Sequence, residues 1–186
     1  MGKRTEDTIY LGSGTPYIME FSGELPTIDV ICVEKNRLGY SKGGAAVTYT
    51  EETYEEKDDL GYKSKIITIN EEARLKLGLL AFNGKKLQYL ADRCSVTEAG
   101  GKRTILLGGA GNAQGKNWVV CFHHEDKQDG DLWAMLVGRN TAGISLTFAK
   151  DNGTKVEPEF KALPQDDKGT LLHIVEEIDG AEAANT

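Results

Sequence analysis

Along this chain, apolar and polar residues alternate in short runs with a period of two, the spacing that sends successive side chains to opposite faces of a strand. Runs of this kind cover residues 17–21, 30–34, 45–50, 65–70, 75–82, 103–107, 118–124, 132–137, 144–149 and 170–176, and each is predicted as a strand. Glu-Asp-Lys-Gln-Asp-Gly at 125–130 is a polar hairpin loop between two of them, and Asp-Asn-Gly-Thr at 151–154 is a second tight turn. Neighbouring strands are therefore expected to be antiparallel. Helical spacing appears once, where Leu87, Leu90, Ala91 and Cys94 recur after the Asn83-Gly84 break. One short α-helix is predicted there, over 83–93, covering a sheet edge or a barrel end. The fold expected from this pattern is mainly β: a single domain over 1–186, built as an antiparallel β-sandwich or barrel with one short flanking α-helix and a long acidic loop projecting at 50–65. Residues 1–7 and 180–186 have little to anchor them and are expected to be loose.

Composition and local pattern sharpen that picture. Leu, Ile, Val and Phe supply 43 of 186 residues, enough for one real core. Glycine stands at 22 against 4 prolines, which suits many turns and few stiff linkers. The net charge is −7, which disfavours a basic nucleic-acid clamp. The longest apolar run, Leu77 to Phe82, is far below the ~20 residues that span a bilayer, so no membrane insertion is expected. The start, Met-Gly-Lys-Arg-Thr-Glu, has no apolar run behind its basic pair, and a secretory leader is not expected either. Cys32, Cys94 and Cys121 are odd in number and scattered, which predicts packed thiols rather than a disulfide framework or a zinc knuckle.

The charge is concentrated. Residues 51–59 read Glu-Glu-Thr-Tyr-Glu-Glu-Lys-Asp-Asp, six acids and one lysine. Such a run cannot be buried in a monomer core. It is either a solvated hairpin tip or a projecting arm that pairs with a partner's surface.

Catalytic and cofactor patterns do not close. Gly108-Gly-Ala-Gly-Asn-Ala-Gln-Gly-Lys116 is glycine-rich, but Ala110 stands where a phosphate loop needs glycine, Asn117 replaces the required Ser or Thr, and Gln114 breaks the dinucleotide pattern. It reads as a connection or bulge entering the strand at Trp118. His123 and His124 are adjacent on a predicted strand and so face apart, which argues against a shared metal; His173 is the remaining imidazole. Asp166 and Asp167 lie in a turn, not opposed across a cleft as a general acid/base pair would be. The aromatic residues are not interleaved with basic ones as a base-stacking platform requires. No catalytic, cofactor-binding or metal-ligating residue is assigned, and the expected class is a structural building block rather than an enzyme.

One resemblance extends over almost the whole chain. Asp-Leu-Trp-Ala-Met-Leu-Val-Gly-Arg-Asn-Thr-Ala-Gly at 131–143, Leu-Thr-Phe-Ala-Lys at 146–150, and Pro-Glu-Phe-Lys-Ala-Leu-Pro-Gln-Asp-Asp-Lys-Gly-Thr-Leu at 158–171 resemble the C-terminal half of the major tail tube proteins of long-tailed, siphophage-like bacteriophages. Leu-Gly-Tyr-Ser-Lys-Gly-Gly at 38–44, the acidic segment ending in Asp-Leu-Gly at 59–61, and Leu-Lys-Leu-Gly-Leu-Leu at 75–80 are similar to the first half. The likeness runs from about Ile9 to Ile178, carried by the order of the segments rather than by any one motif. It implies a virion structural protein that assembles with itself as hexameric rings stacked into a hollow tube. Genomic DNA would leave through the lumen without specific binding, and tape-measure, terminator and baseplate proteins would be further partners. It also implies that a long loop between two strands docks on the adjacent ring. The matching contact residues here are Glu51, Glu52, Tyr54, Glu55, Glu56, Asp58, Asp59 and Leu60. The location implied is the virion tail, after synthesis in the host bacterial cytoplasm. Competing expectations are a terminator or baseplate ring protein of the same fold, and a carbohydrate-binding or adhesin β-sandwich.

Overall fold

The strand at 118–124 is apolar at both parities, and the reason is visible in what it separates. Trp118, Val120 and Phe122 face one cluster of buried side chains, while Val119 and Cys121 face a second. A strand flanked on both faces by core has no polar face to show. In the computed structural model, which describes residues 12–148, 150–151 and 153–178, this strand lies inside a seven-stranded antiparallel sheet.

The strands are β1 (Gly14–Glu20), β2 (Tyr40–Lys57), β3 (Ser64–Ala81), β4 (Cys94–Ala99), β5 (Lys102–Leu107), β6 (Trp118–His124), β7 (Leu132–Asn140), β8 (Glu159–Leu163) and β9 (His173–Glu176). The main sheet runs β1-β6-β7-β8-β3-β2, and β9 continues along β7 beyond the end of β8. β4 and β5 form a separate hairpin. The main sheet curls until its two ends approach. The Leu38 amide donates to the Pro16 carbonyl at 2.8 Å, and the Ser41 hydroxyl donates to the Gly14 carbonyl. The larger core lies inside this curl and holds Leu75, Leu77, Leu79, Val120, Leu136 and Phe160.

The mainly antiparallel β architecture matches the expectation; several elements differ. Residues 30–34, expected as a strand, lie across the end of a four-residue helix, α1 (Ile28–Ile31), and a following 3-10 turn, Glu34–Asn36. Ile28 and Ile31, one turn apart, drop together onto the second cluster, an arrangement an extended chain could not make. The helix expected over 83–93 is a 3-10 helix, Gly84–Tyr89, started by the Asn83 side chain accepting from the Lys85 amide. Leu87 and Leu90 are buried as their spacing demands, but Cys94 begins β4 because β5 pairs with it. Residues 144–148 form no strand, and Ala149 lies outside the described residues. Asn152 of the second turn and the ends 1–7 and 180–186 also lie outside the described residues. β4 and β8 were not anticipated.

The largest correction concerns the predicted loop at 50–65. It is not a loop. β2 and β3 are single 18-residue strands that continue through it, and the turn is confined to 58–63. Thr and Tyr alternate with the acids here, and such residues suit a pleated surface even when it is fully wet. Within the root of the hairpin, Gly78 passes under the bulged segment of β2. A Cβ at that position would sit 2.3 Å from the Lys42 carbonyl oxygen, so only glycine allows the approach.

Candidate functional site: the acidic arm

Every residue from 46 to 71 is exposed, an unbroken stretch that includes both strands of the hairpin and its turn. Beyond Arg74–Lys76, which pair with β8, β3 has only β2 beside it. With ~3.3 Å per strand residue, the segment from Thr48, opposite Arg74, to Lys57 is on the order of 30 Å long, and the near part of the hairpin, residues 68–71, lines a pocket with Pro164, Lys168, Gly169 and Leu171. A lone two-stranded hairpin is marginal in water, so what lines it matters.

Within the arm the ladder contains one irregularity. Glu52 pairs with Asn70 and Thr53 with Thr68, leaving Ile69 as an extra residue on β3. This is a bulge, which raises local twist and re-aims the side chains beyond it. Past the bulge, Tyr54 stands opposite Ile67 and Glu55 opposite Ile66. Ile66 is 61% exposed, Ile69 55%, Leu60 76% and Tyr62 83%. The run Ile-Ile-Thr-Ile, read from sequence as part of a strand, is therefore displayed to solvent.

The eight residues singled out from the sequence all lie on this arm. Glu51, Glu52, Tyr54, Glu55 and Glu56 are in β2, and Asp58, Asp59 and Leu60 are in the turn. Asp58 shapes that turn: its carboxylate accepts the Lys63 amide at 2.6 Å, and its backbone exchanges hydrogen bonds with Lys63 and Gly61. The Tyr49 hydroxyl lies 2.8 Å from a Glu51 carboxylate oxygen and 2.9 Å from one of Glu71, sharing its one proton between two acids that face each other across the ladder. Hydrogen bonding to Glu51 and Glu71 pushes the Tyr49 hydroxyl pKa up, and Glu56 does the same for Tyr54. Both phenols stay neutral donors.

At the root the charges change character. Glu72, Arg74, Glu159 and Lys161 form one ion network across β3 and β8, with Arg74 between the two acids and Lys161 2.5 Å from Glu72. Hydrogen bonds from Arg74 and then from Lys161 hold the Glu72 carboxyl down at about 2. The arm thus leaves the body across a neutralised base; farther out Glu55 pairs with Lys57 at 3.1 Å, and the acids there outnumber the cations.

The other sequence candidates are accounted for locally. His123 and His124 do face apart. His123 sits 2.8 Å from Asp131 and stacks on Trp133 at 4.9 Å between ring centroids. His124 is buried and its Nδ1 donates to the Ser13 carbonyl at 3.0 Å. No group of three or more His, Cys, Asp and Glu side chains that could hold a metal occurs among the described residues. In the glycine-rich connection, Asn112 donates to the Gly108 carbonyl, Gln114 to the Gln88 carbonyl, and the Gly115 amide to the Asp92 carboxylate, so these donors are occupied. Among the described residues, no helix is long and apolar enough to cross a membrane. Cys32 and Cys121 are free thiols with sulfurs 3.8 Å apart. Their 89-residue separation in sequence hid that proximity, which only the docking of α1 on β6 creates.

No protein-family model matches the chain, and none of the curated proteins is detectably similar to it.

Proposed function

We propose that this chain is a structural subunit of a phage tail tube: six copies close into a ring, rings stack into a hollow conduit for DNA ejection, and the arm carries the contact between rings. The supporting observation is the arm itself. A monomer that places Ile66, Ile67, Ile69, Leu60 and Tyr62 in water on a hairpin without sheet neighbours has a surface that gains free energy on being covered. The acids interleaved with them keep the open β2 edge from pairing indiscriminately. A head-to-tail contact of this kind either closes a ring or propagates a filament, and a tube uses one of each.

Several further features agree with this reading. The net charge of −7 suits a lumen that repels phosphates, so that DNA slides without the counterion-releasing contacts that create tight binding. Of the two tryptophans, Trp118 is buried and Trp133 half-buried against His123, which leaves neither as an open sugar-stacking platform. The subunit works without catalysis or cofactor, in the virion tail, and meets tape-measure, terminator and baseplate proteins at the tube's ends and interior. Negative-stain microscopy of the purified protein, combined with sedimentation over a wide concentration range, tests the proposal. Tubes or stacked rings support it. Single rings that never stack favour a terminator or baseplate ring, and strict monomers at high concentration favour a carbohydrate-binding or adhesin module.

A further inference from the structure

Cys32 and Cys121 are 89 residues apart in sequence, yet their sulfurs lie 3.8 Å apart, in van der Waals contact. Cys121 is in the middle of β6, between Tyr17 of β1 and Met135 of β7, and is 0% exposed. Cys32 caps the C-terminal end of α1 and is half-buried. Both pack in the second cluster, among Ile31, Val119, Met135 and Val137. The approach is held from both sides. The ladder fixes Cys121, and the Asn36 side chain fastens the end of α1 by donating to the Val30 and Ile31 carbonyls at 3.2 and 3.1 Å. Bonded sulfurs stand ~2.0 Å apart, so the two side chains have little distance left to close.

The two thiols are not equivalent. The hydrogen bond from Cys121 is the largest influence on Cys32 and holds its thiol below the ordinary value, against the opposing pull of burial and of the Asp29 carboxylate. The indole N–H of Trp133, buried without an oxygen or nitrogen acceptor, also favours the Cys32 thiolate. Cys121 is pushed up, first by the same hydrogen bond and then by burial. The third cysteine, Cys94, begins β4, where burial alone raises its thiol. Because the thiolate is the nucleophile in thiol oxidation, Cys32 is the most reactive of the three, and Cys121 is the thiol in contact with it.

We propose that Cys32 and Cys121 form a redox-modification site, at which hydrogen peroxide converts the two thiols into a disulfide joining the end of α1 to β6. The Cys32 thiolate attacks one peroxide oxygen and the O–O bond breaks. The hydroxide that leaves takes up the proton the thiol released, and Cys32 is left as a sulfenic acid. The Cys121 sulfur then attacks the Cys32 sulfur, the S–O bond breaks, and water leaves with the Cys121 proton. Two thiols thereby lose two electrons and two protons, and one peroxide is reduced to two waters. The product is as apolar as the cluster around it, so its formation strands no further polar group. The site needs only one chain and is independent of the tube reading.

Oxidation of the folded, fully reduced chain tests this. Dilute hydrogen peroxide is added, the reaction is quenched in acid, free thiols are alkylated, and the peptides are mapped by mass spectrometry without reduction. The three free thiols should fall to one. A linked peptide should join Cys32 to Cys121, two hydrogens lighter than its separate parts, while Cys94 is recovered alkylated. Cys32 should be consumed at least about tenfold faster than Cys94. In Cys32→Ala, with its fold checked by circular dichroism, Cys121 should stay reduced. The wild-type map needs no variant to fold. Peroxide treatment that leaves Cys32 and Cys121 as thiols, consumes Cys94 as fast as Cys32, or joins Cys32 to another molecule instead of to Cys121 would overturn the proposal.

Discussion

The root and the arm of the β2–β3 hairpin are the same two strands, yet they obey different rules. In the root, Ala73, Leu75, Leu77 and Leu79 are buried at alternate positions, and the intervening residues are not. In the arm the alternation of residue types persists while burial vanishes, since residues 46–71 are all exposed. Propensity does not separate the two, because Ile66, Ile67 and Ile69 are better strand formers than the leucines of the root. What separates them is company. The root has β8 beside it through Arg74–Lys76 and the larger core beneath, whereas each arm strand has only the other. Burial along one continuous strand is thus decided by neighbours, and the arm strands pair only with each other.

Four substitutions sharpen this contrast, from the largest expected effect to the smallest. Leu77→Ala, in the root, removes a fully packed side chain from the larger core. It should cost about 2–5 kcal/mol, read as a lower urea midpoint with an unchanged slope. Gly78→Ala, one residue away, forces a methyl against the Lys42 carbonyl, which is backbone and cannot swing aside. Its cost should be about 1–3 kcal/mol; a neutral result would mean that the bulge in β2 relaxes freely.

The third substitution concerns the ion network at the base of the arm. Glu72 ionises at about 2 in the folded chain against an ordinary 4.5, so the unfolded chain takes up its proton first as the solution is acidified. The stability this carboxylate contributes is whole above about pH 4.5 and declines as the pH falls toward about 2. Glu72→Gln should flatten that part of the curve of thermal midpoint against pH and leave the rest of its shape unchanged. A variant whose acid sensitivity equals wild type would show that Arg74 and Lys161 do not hold the carboxylate in solution.

Smallest of all for the folded monomer is Ile67→Ser in the arm, which should stay within about 0.5 kcal/mol of wild type. If the proposed tube assembly is right, its threshold concentration should rise severalfold by light scattering. A large loss of monomer stability would show instead that the arm folds back onto the body.

Much of the body was legible from period-two alternation. The strand expected at 118–124 has the same bounds in the structure, and the one expected at 132–137 extends only to Asn140. These strands pair by a hairpin whose polar loop was plain in the residues between them. Where apolar residues were few or ambiguous the reading slipped. Val30-Ile-Cys-Val resembles a strand, and only the second cluster, needing Ile28 and Ile31 on one side, turns it into a helix. β8 was missed because its five residues alternate too briefly to stand out, and its place is set by β7 on one side and β3 on the other.

Of the candidate site, the sequence by itself determined that residues 51–59 could not be core, because six carboxylates in nine residues cannot all be desolvated. It also determined that His123 and His124 face apart, since that follows from strand geometry alone. Only the tertiary structure decided that the acidic segment is strand rather than loop, since the ladder to β3 that makes it so joins residues up to 41 positions apart, Tyr40 with Ala81. The same long-range pairing decided that Ile66, Ile67 and Ile69 stand in solvent. Local pattern fixes which way a side chain can point; what it then meets depends on contacts far along the chain, and these exist only once the sheet has closed.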